Sequence, residues 1–556
     1  MERYNFTQNL NFDVIIIGGG ISGATMVHEA ALKGLRPLLV EMNDFGSATS
    51  AATSKLIHGG LRYLKNFELG LVRESLRERK ILGDIAPNFV EPLAFVLPNQ
   101  KEKKITNLTL KAGMVLYDLL SYDKANLQNQ KNALPSHSTL TLEELIERNP
   151  FMKGTSFSHA TCYYDYANLN PDRMTLAFLQ TAQENGAKIA NYAKVVGFLK
   201  AENKEGNQIL GVKIEDRLDG KIYEVKAPWV INCGGTWVDN IIGLLGEKST
   251  QSRKILRSEG VHIITDKIKC QDAVGLQTSE KGHLFFLPWR GLTLVGPTEK
   301  PYDQDPSSYK PTSESIKELI ENINAHVPKA QMGGEFKKED IRFVYGGLRP
   351  LIGIENPEDS YNASRKHEIV DHNKDRYKGF LSVEGGKYTT SRNLAEQTFA
   401  YLKKNYNLSL KNITSETVVL SPCHFPKGFE TFLQELQKQF SADFSSETIL
   451  YYATNYGNLA TEVLNLAVKN PHLKKTLTPD GEILAEVVYA TEHELCFSLE
   501  DLLFRRTGIG LMGKIQEEDL KQISQILAQK LGWTEKQTLE NLEKFKEHYN
   551  LQNLFS

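Results

Sequence analysis

A cluster of glycines near the start of the chain has the spacing of a phosphate-binding turn. Gly18, Gly20 and Gly23 form the pattern G-x-G-x-x-G, which follows the apolar run 13–17 and opens a helical pattern. The first glycine permits a tight turn, the second admits a diphosphate close to the backbone, and the third lets helix and strand approach each other. Because the first amides of a helix point outward, they bind phosphate oxygens. We predict that this turn binds the diphosphate of a dinucleotide.

An acidic residue ends the second predicted strand of the same unit. Glu41 stands 23 residues after Gly18, where a carboxylate accepts hydrogen bonds from the ribose hydroxyls of an adenosine. The same carboxylate would repel a 2′-phosphate, which disfavours NADP. The glycines and Glu41 do not distinguish FAD from NAD.

A second polar segment covers residues 44–65. The small residues from Gly46 to Ser54 suit a chain in contact with a diphosphate or a flavin, and Gly59 and Gly60 allow close approach to a flat ring. Polar and cationic side chains share the segment: Ser50, Ser54, Lys55, His58, Arg62 and Tyr63. This combination favours a planar cofactor beside an anionic substrate.

This segment resembles the signature of FAD-dependent glycerol-3-phosphate dehydrogenases of the respiratory, quinone-linked kind. Its sequence is DFGSATSAATSKLIHGGLRYLK. The resemblance covers about residues 12 to 400. It continues in family order at 163–173, 231–239, 287–299, 345–351 and 384–396. Cys233 and Gly234 stand where the family more often has Ala-Thr, and Ser391 where an aromatic residue is common. Neither change removes a charged group.

The resemblance implies an α/β fold. A Rossmann-like FAD-binding domain would combine with a mixed-sheet substrate domain of the D-amino-acid-oxidase type, and an all-α domain would follow. We expect the first two to be interleaved over residues 12–420, with FAD parts at about 12–100, 155–240 and 340–410, and substrate parts at about 100–155 and 240–340. The helical domain would cover 421–556.

The resemblance also implies the roles of site residues. Arg62, Tyr63, Arg365 and Lys387 would surround the phosphate of sn-glycerol 3-phosphate, because a dianion needs fixed positive charge. His262 would accept the hydroxyl proton and Arg349 would stabilise the developing alkoxide, with Lys387 completing the catalytic set. The residues expected to contact FAD are Gly18, Gly20, Gly23, Glu41, Ser50, Ser54, Lys55, His58, Gly59, Gly235, Gly386 and Thr389. The product would be dihydroxyacetone phosphate, with electrons passing through FAD to a quinone.

Hydrophobic periodicity predicts the elements that carry these residues. Runs at 13–17 and 37–41 with a helix from Ile21 to Lys33 make a βαβ unit. Further helices are predicted at Leu71 to Leu82 and at 173–185. Further strands are predicted at 209–214, 222–226, 228–232, 261–265, 284–288, 292–295 and 378–383. Beyond residue 420 helical spacing recurs near 447–468, 482–497, 517–531 and 534–548, and Ser498 with Asp501 predicts a helix cap.

Composition excludes several classes of protein. The formal net charge of -2 gives no support to a broad nucleic-acid surface. The five cysteines are odd in number and form no CxxC pair, so we expect reduced thiols and neither a disulfide framework nor a metal site. No signal peptide and no apolar run of about 18 residues is evident, so we expect a cytoplasmic protein, peripheral on the inner face of the membrane.

Three questions stay open at this point. The lysines and apolar residues of 101–120 fit either a helix touching anionic lipid or an ordinary core-facing helix. A related oxidase that reduces oxygen would share the same pocket, and an FAD-binding protein without this activity, such as an RNA-modification protein, is a third reading. The sequence does not decide between a monomer and a homodimer.

Overall fold

The structure is a computed structural model that describes residues 1–101, 104–203, 206–246, 255–278, 282–352, 366–375 and 377–550. The strands are β1 (Val14–Ile17), β2 (Pro37–Val40), β3 (Leu56–Ile57), β4 (Val90–Asn99), β5 (Ser138–Thr141), β6 (His159–Asn168), β7 (Lys188–Ala190), β8 (Ala193–Asn203), β9 (Gly206–Asp216), β10 (Lys221–Lys226), β11 (Trp229–Asn232), β12 (Leu256–Thr265), β13 (Ala273–Gln277), β14 (His283–Trp289), β15 (Leu292–Gly296), β16 (Lys300–Tyr302), β17 (Phe343–Leu351), β18 (His367–Asp371), β19 (Tyr377–Lys378) and β20 (Phe380–Gly385).

The α-helices follow the same order along the chain. They are α1 (Ile21–Leu32), α2 (Leu69–Ile85), α3 (Lys104–Leu120), α4 (Leu142–Arg148), α5 (Pro171–Glu184), α6 (Val238–Gly243), α7 (Ser313–His326), α8 (Ser391–Tyr406), α9 (Phe429–Phe440), α10 (Ser446–Tyr456), α11 (Ala460–Lys469), α12 (Ala485–His493), α13 (Glu517–Leu531) and α14 (Glu535–Tyr549). A π-helix at Asp501–Arg506 and short 3-10 helices complete the described part, among them Leu61–Asn66 and Gly235–Trp237.

The first sheet has the strand order β18-β20-β11-β1-β2-β7. β1 pairs in parallel with β2 and β11, and it is buried on both faces because all four of its residues are apolar. Val14 and Ile16 pack in the core that includes α1 and α5, whereas Ile15 and Ile17 pack against β8, β9 and β10. Those three strands and β19 form a second sheet.

The third sheet is mixed and forms the floor of the candidate site. Its order is β16-β12-β15-β14-β13-β4-β6-β3, with β17 also paired to β12 and β5 to β6. The antiparallel pairing of β12 with β17 places His262 opposite Tyr345 and Ser258 opposite Arg349. β3 pairs with β6 at Leu56, so the 44–65 segment leaves the first sheet and joins the third. The fold therefore brings the two motif regions to one boundary.

The C-terminal helices pack against the rest of the molecule through buried charges. Asp44 is ion-paired with Arg505 and Arg506, and Arg173 with Glu494, and none of these side chains is more than 10% exposed. One apolar core joins residues of the third sheet with residues of α10 to α14. The helical domain is thus part of a common core.

The predicted fold class is confirmed, and most predicted elements lie where the patterns placed them. The helical spacing predicted near 447–468 corresponds to two helices, α10 and α11, which a 3-10 turn at Gly457–Leu459 separates. Ser498 does accept a hydrogen bond from the Asp501 amide, at 3.1 Å, but the helix it caps is a π-helix. Many strands fall outside the predicted ones, among them β4, β6, β8, β13, β17 and β18. Within the described residues, no helix is long and apolar enough to cross a membrane.

Candidate active site

The glycine turn has the geometry that a diphosphate requires. Gly18 has a φ of 107°, and a side chain at Gly23 would come within 1.8 Å of the Gly18 carbonyl oxygen. Ser50 Oγ accepts a hydrogen bond of 2.9 Å from the Ile21 amide, the first of α1. Gly20 faces only Ser50 Oγ, 3.1 Å from where a Cβ would stand. Four predicted FAD residues therefore lie together at the start of α1.

Glu41 lies directly against this turn. Its Oε2 accepts a hydrogen bond of 2.6 Å from the Gly19 amide, and its Oε1 accepts one of 2.8 Å from the Asn43 amide. Burial raises the pKa of the Glu41 carboxyl, against the lowering effect of these amides. The carboxylate is thus held at the end of β2 by backbone donors, beside the diphosphate turn.

The segment from Thr49 to Lys55 runs along β17 at close range. Thr49 Oγ1 donates a hydrogen bond of 2.6 Å to the Leu348 carbonyl, and Tyr345 Oη donates one of 2.9 Å to the Thr53 carbonyl. A Cβ at Gly347 would be 2.5 Å from Ala52 Cβ, so glycine is needed for this approach. The FAD-side segment and the substrate sheet are therefore in direct contact.

His262 meets the same segment through Ser54. Its Nε2 lies 2.9 Å from Ser54 Oγ, and its ring is stacked on Tyr345 with centroids 5.0 Å apart. Its Nδ1 is buried and has no hydrogen-bond partner among the described residues. Burial, together with the nearby charges of Arg349 and Lys55, lowers the pKa of His262 to about 3. The imidazole is therefore neutral near pH 7, with one nitrogen left for a ligand.

The side chain of Arg349 lies across β12, the strand that carries His262. Its guanidinium donates to the Thr298 carbonyl at 3.3 Å and lies 3.5 Å from the Glu299 carboxylate. A side chain at Gly260 would come within 2.1 Å of Arg349 Nη2. A side chain at Gly296 would meet His262 at 3.0 Å. Two glycines in neighbouring strands therefore make room for His262 and Arg349, two of the three predicted catalytic residues.

A second pair of predicted residues lies at the other end of the segment. Lys387 Nζ is 4.6 Å from the centroid of the Tyr63 ring and donates a hydrogen bond to Ser75 Oγ. A Cβ at Gly60 would be 3.5 Å from Lys387 Nζ. The amide of Gly59 donates to Asp165 Oδ1 at 3.2 Å. Tyr63 and Lys387 are thus brought together, as expected of a shared phosphate site.

Four other predicted residues occupy turns nearby or lie half-buried in the segment. Gly235 and Gly386 have φ values of 55° and 88°. Thr389 is buried just before α8, which contacts α1 through a hydrogen bond of 3.0 Å from Thr25 Oγ1 to the Ser391 carbonyl. His58 is half-buried. The side chain of Arg62 and the whole of Arg365 lie outside the described residues.

Lys55 is predicted to contact the cofactor, but in the structure its ammonium lies near the rings of Trp289 and Tyr345. Its Nζ lies 5.1 Å from the centroid of the Trp289 ring and 5.7 Å from that of Tyr345. Neither Trp289 nor Tyr345 was singled out beforehand, and neither was Asp172, which is buried at the start of α5. All three residues belong to segments that resemble the family. Their place in those segments is the sequence signal by which they could have been found.

The chain is similar to known proteins along nearly its whole length. Residues 13–387 match the family model described as FAD dependent oxidoreductase, and residues 385–538 match that of the C-terminal domain of alpha-glycerophosphate oxidase. A glycerol-3-phosphate dehydrogenase of Synechocystis sp. is 32% identical over 560 residues, covering 99% of this chain and 98% of the relative. The chain belongs to the FAD-dependent glycerol-3-phosphate dehydrogenase family.

Other members of the family are similar along nearly their whole length. The aerobic glycerol-3-phosphate dehydrogenase of Staphylococcus epidermidis is 31% identical, covering 97% of this chain and 94% of the relative. The crystal structure of the Bacillus halodurans glycerol-3-phosphate dehydrogenase with FAD has a TM-score of 0.75 and 25% identity, covering 97% and 94%. The FAD-bound L-alpha-glycerophosphate oxidase of Mycoplasma pneumoniae shares the fold, with a TM-score of 0.54 and 16% identity, covering 73% and 98%.

FAD is the cofactor of this family, and the residues present fit it. The glycine turn lies at the N-terminal end of α1, where the helix favours a bound diphosphate. Small residues line the 46–54 segment, and Gly347 allows the backbone to approach closely. Within the described residues, no cluster of His, Cys, Asp and Glu could hold a metal ion.

Proposed function

We propose that this protein oxidises sn-glycerol 3-phosphate to dihydroxyacetone phosphate and passes the electrons to a quinone. The observation that carries the proposal is the arrangement around the 54–63 segment. At one end the unpartnered His262 nitrogen lies beside Arg349, and at the other Lys387 lies over Tyr63. Full-length similarity to glycerol-3-phosphate dehydrogenases supports the choice of substrate.

The cationic groups bind and orient the phosphate ester. Lys387 is positioned by Ser75 and by the Tyr63 ring, so its ammonium can be directed at phosphate oxygens. Arg62 and Arg365 complete the phosphate site in this proposal. A phosphate held at this end of the segment places the carbinol carbon towards His262 and Arg349.

His262 accepts the hydroxyl proton and Arg349 stabilises the oxygen that loses it. If His262 Nε2–H donates to Ser54 Oγ, Nδ1 keeps its lone pair and is free to take the proton. The low pKa of the free site follows from burial and from neighbouring cations. A bound phosphate dianion opposes those cations and raises the pKa of His262, which makes it a better base. Bound FAD supplies the hydride acceptor.

The alternative acceptor is oxygen, as in the structurally similar oxidase. We favour a quinone because the relatives that match along nearly their whole length are called dehydrogenases. Anaerobic addition of sn-glycerol 3-phosphate should bleach the flavin absorbance of the purified protein, whereas glycerol should not. The reduced protein should then reoxidise much faster with a quinone analogue than with air. Failure of the substrate to bleach the flavin would refute the proposed reaction.

We also propose that the protein acts at the cytoplasmic face of the inner membrane. The exposed face of α3 and its C-terminal turn carries large apolar side chains: Leu108 (70% exposed), Val115 (46%), Leu119 (65%) and Tyr122 (77%). These positions recur with helical spacing, which aligns them on one side of the helix. Lys101 and Lys111 are exposed beside them. An apolar stripe with flanking lysines fits the surface of an anionic bilayer.

A further inference from the structure

A large cavity separates the mixed sheet from the C-terminal helices, and the proposed oxidation of the alcohol does not use it. Its volume is about 640 Å³, which is within the range of small-molecule sites. Its walls are largely apolar and include Leu93, Leu287, Leu294, Leu450 and Phe504. Sites of this size and character between domains are common places for a ligand.

Two buried polar atoms in the cavity wall lack hydrogen-bond partners among the described residues, and a buried lysine lies close to both residues. Lys55 is 5% exposed, and no described carboxylate lies within 4.0 Å of its Nζ. Trp289 Nε1 is buried without an acceptor, and Asp172 Oδ1 is buried without a donor. Because an unpaired buried polar group is costly, two such atoms around one cavity, with a buried ammonium beside them, indicate a ligand that satisfies them.

The backbone at this wall is also unusual. Lys55 has a φ of 55°, and so does Arg290, next to Trp289, at 51°. Non-glycine residues in the left-handed region are strained, and they are concentrated at functional sites. Arg290 is fixed by ion pairs to Asp480 and Glu482, so the β14–β15 turn is anchored to the C-terminal domain.

The cavity shares its wall with the proposed oxidation site. Ser54, which precedes Lys55, lines the cavity and is hydrogen-bonded to His262. Tyr345 stacks on His262, and the Lys55 Nζ lies 5.7 Å from the centroid of the same Tyr345 ring. A molecule in the cavity is therefore separated from the substrate side by about one layer of side chains.

The groups of the wall define the kind of ligand. Trp289 donates, Lys55 donates, and Asp172 donates when it is protonated. Burial raises the pKa of the Asp172 carboxyl to about 6, while Lys55 opposes the rise. Burial lowers the pKa of the Lys55 ammonium. The Asp172 carboxyl therefore keeps its proton to a higher pH than usual, and the Lys55 ammonium loses its proton at a lower pH than usual. Glu91, Glu447 and Asp480 also line the cavity and disfavour an anion.

We infer that this cavity binds the electron acceptor, a flat apolar ring with two carbonyl oxygens, and that Lys55 and Asp172 deliver its protons. The inference rests on the proposed function. Oxidation of the alcohol to the ketone releases two electrons and two protons. The acceptor takes the two electrons by way of the flavin, and each carbonyl oxygen gains one proton, so that two C=O groups become two C–OH groups. The released protons recharge Lys55 and Asp172.

Direct binding tests the location without relying on turnover. Menadione, a small quinone, is titrated into the oxidised holoenzyme by calorimetry. Leu450→Arg places a cation at the rim, where the side chain is 45% exposed and the fold tolerates it. We expect at least tenfold weaker binding in this variant. Leu539→Arg, at a position 53% exposed on α14 and away from the cavity, is the matched control and should bind normally.

Trp289→Phe keeps an aromatic ring and removes only the N–H donor. We expect it to weaken menadione binding by several-fold and to slow reoxidation of the reduced flavin by menadione. Asp172→Asn should flatten the pH profile of that reoxidation around pH 6. If Leu450→Arg and Trp289→Phe both bind menadione as the parent protein does, the cavity is not the acceptor site. If the substrate does not bleach the parent flavin, the proposed function itself fails.

Discussion

Ser54 Oγ lies 2.9 Å from His262 Nε2, so a residue of the FAD-side segment contacts the proposed base on the substrate sheet. This contact determines which ring nitrogen stays free, because Nδ1 has no partner in the described part of the chain. The orientation of the base therefore depends on both domains at once.

His262→Gln should slow flavin reduction by about 10²-fold or more, the usual contribution of a general base. FAD content should stay unchanged, since the side chain belongs to the substrate sheet. Stopped-flow absorbance under anaerobic conditions gives the rate. Ser54→Ala should have a smaller effect, because it loosens the ring without removing it. Equal reduction rates in His262→Gln and the parent would assign the proton transfer to another group.

Gly260→Ala should lower kcat/KM for the substrate by about 10²-fold, since displacement of a catalytic group by about 1 Å has effects of this size. The new methyl would come within 2.1 Å of Arg349 Nη2 and push the guanidinium aside. Gly243→Ala is the control, because no neighbouring atom of the described residues lies within 4 Å of its added methyl. Steady-state kinetics check both variants. Normal kinetics in Gly260→Ala would show that Arg349, in its position beside Gly260, does not stabilise the developing alkoxide.

Leu119→Glu should reduce binding to anionic vesicles by about tenfold, because each methylene withdrawn from lipid costs about 0.8 kcal/mol and the new charge is repelled. Flotation with vesicles rich in phosphatidylglycerol measures the bound fraction. Leu539→Glu alters an exposed leucine on α14 and should float like the parent. The proposed membrane surface is wrong if both variants bind equally. Light scattering reveals whether α3 instead joins two copies of the chain.

Glu486→Gln should remove part of the pH dependence of stability. Burial, together with the charge of Glu482, raises the pKa of the Glu486 carboxyl from 4.5 to about 8, although the hydroxyls of Tyr451 and Tyr456 lower it. The folded protein thus keeps a proton that the unfolded chain releases between these values, and stability falls as pH rises from about 4.5 to 8. Thermal melts at pH 5, 6, 7 and 8 should show a steeper fall in Tm for the parent than for the variant. Parallel curves would mean that Glu486 is charged in the folded state.

Asp44→Asn should destabilise the protein by about 3–5 kcal/mol, the cost of breaking a buried ion pair. Burial raises the pKa of Asp44, but Arg506 and Arg505 outweigh it and lower the pKa to about 2. Removing the carboxylate takes away the carboxylate bound to the buried Arg506 guanidinium and leaves Arg505 with its ion pair to Asp501. Denaturant unfolding followed by circular dichroism measures the loss. Glu435→Gln breaks an exposed pair with Lys427 and should change stability by less than about 1 kcal/mol.

The sequence predicts those elements whose hydrophobic pattern and glycine spacing already reflect their place in the fold. β1, α1 and β2 follow directly from apolar runs separated by Gly18 to Gly23. Tyr63 and Lys387, more than 300 residues apart in sequence, were paired by resemblance and lie together in the structure. Gly260 escaped notice although a lone glycine in a strand signals close approach.

Other features depend on packing that no local pattern contains. Lys55 belongs to a motif beside the cofactor, yet its left-handed backbone directs the side chain to Trp289. The cavity beyond it requires the β14–β15 turn and the C-terminal helices, which are about 160 residues apart in the chain. A π-helix at Asp501–Arg506 places Arg505 and Arg506 side by side on Asp44, and hydrophobic periodicity does not distinguish it from an α-helix.

The π-helix also limits how the chain can be divided. The Mycoplasma pneumoniae oxidase covers only 73% of this chain, which invites the idea of a minimal catalytic fragment ending near residue 420. In this protein such a truncation would strip Asp44 and Arg173 of their counterions and leave the aromatic face of the mixed sheet open to water. We expect the shortened chain to be recovered as aggregate, so crystallography, display or fusion should begin with the whole polypeptide.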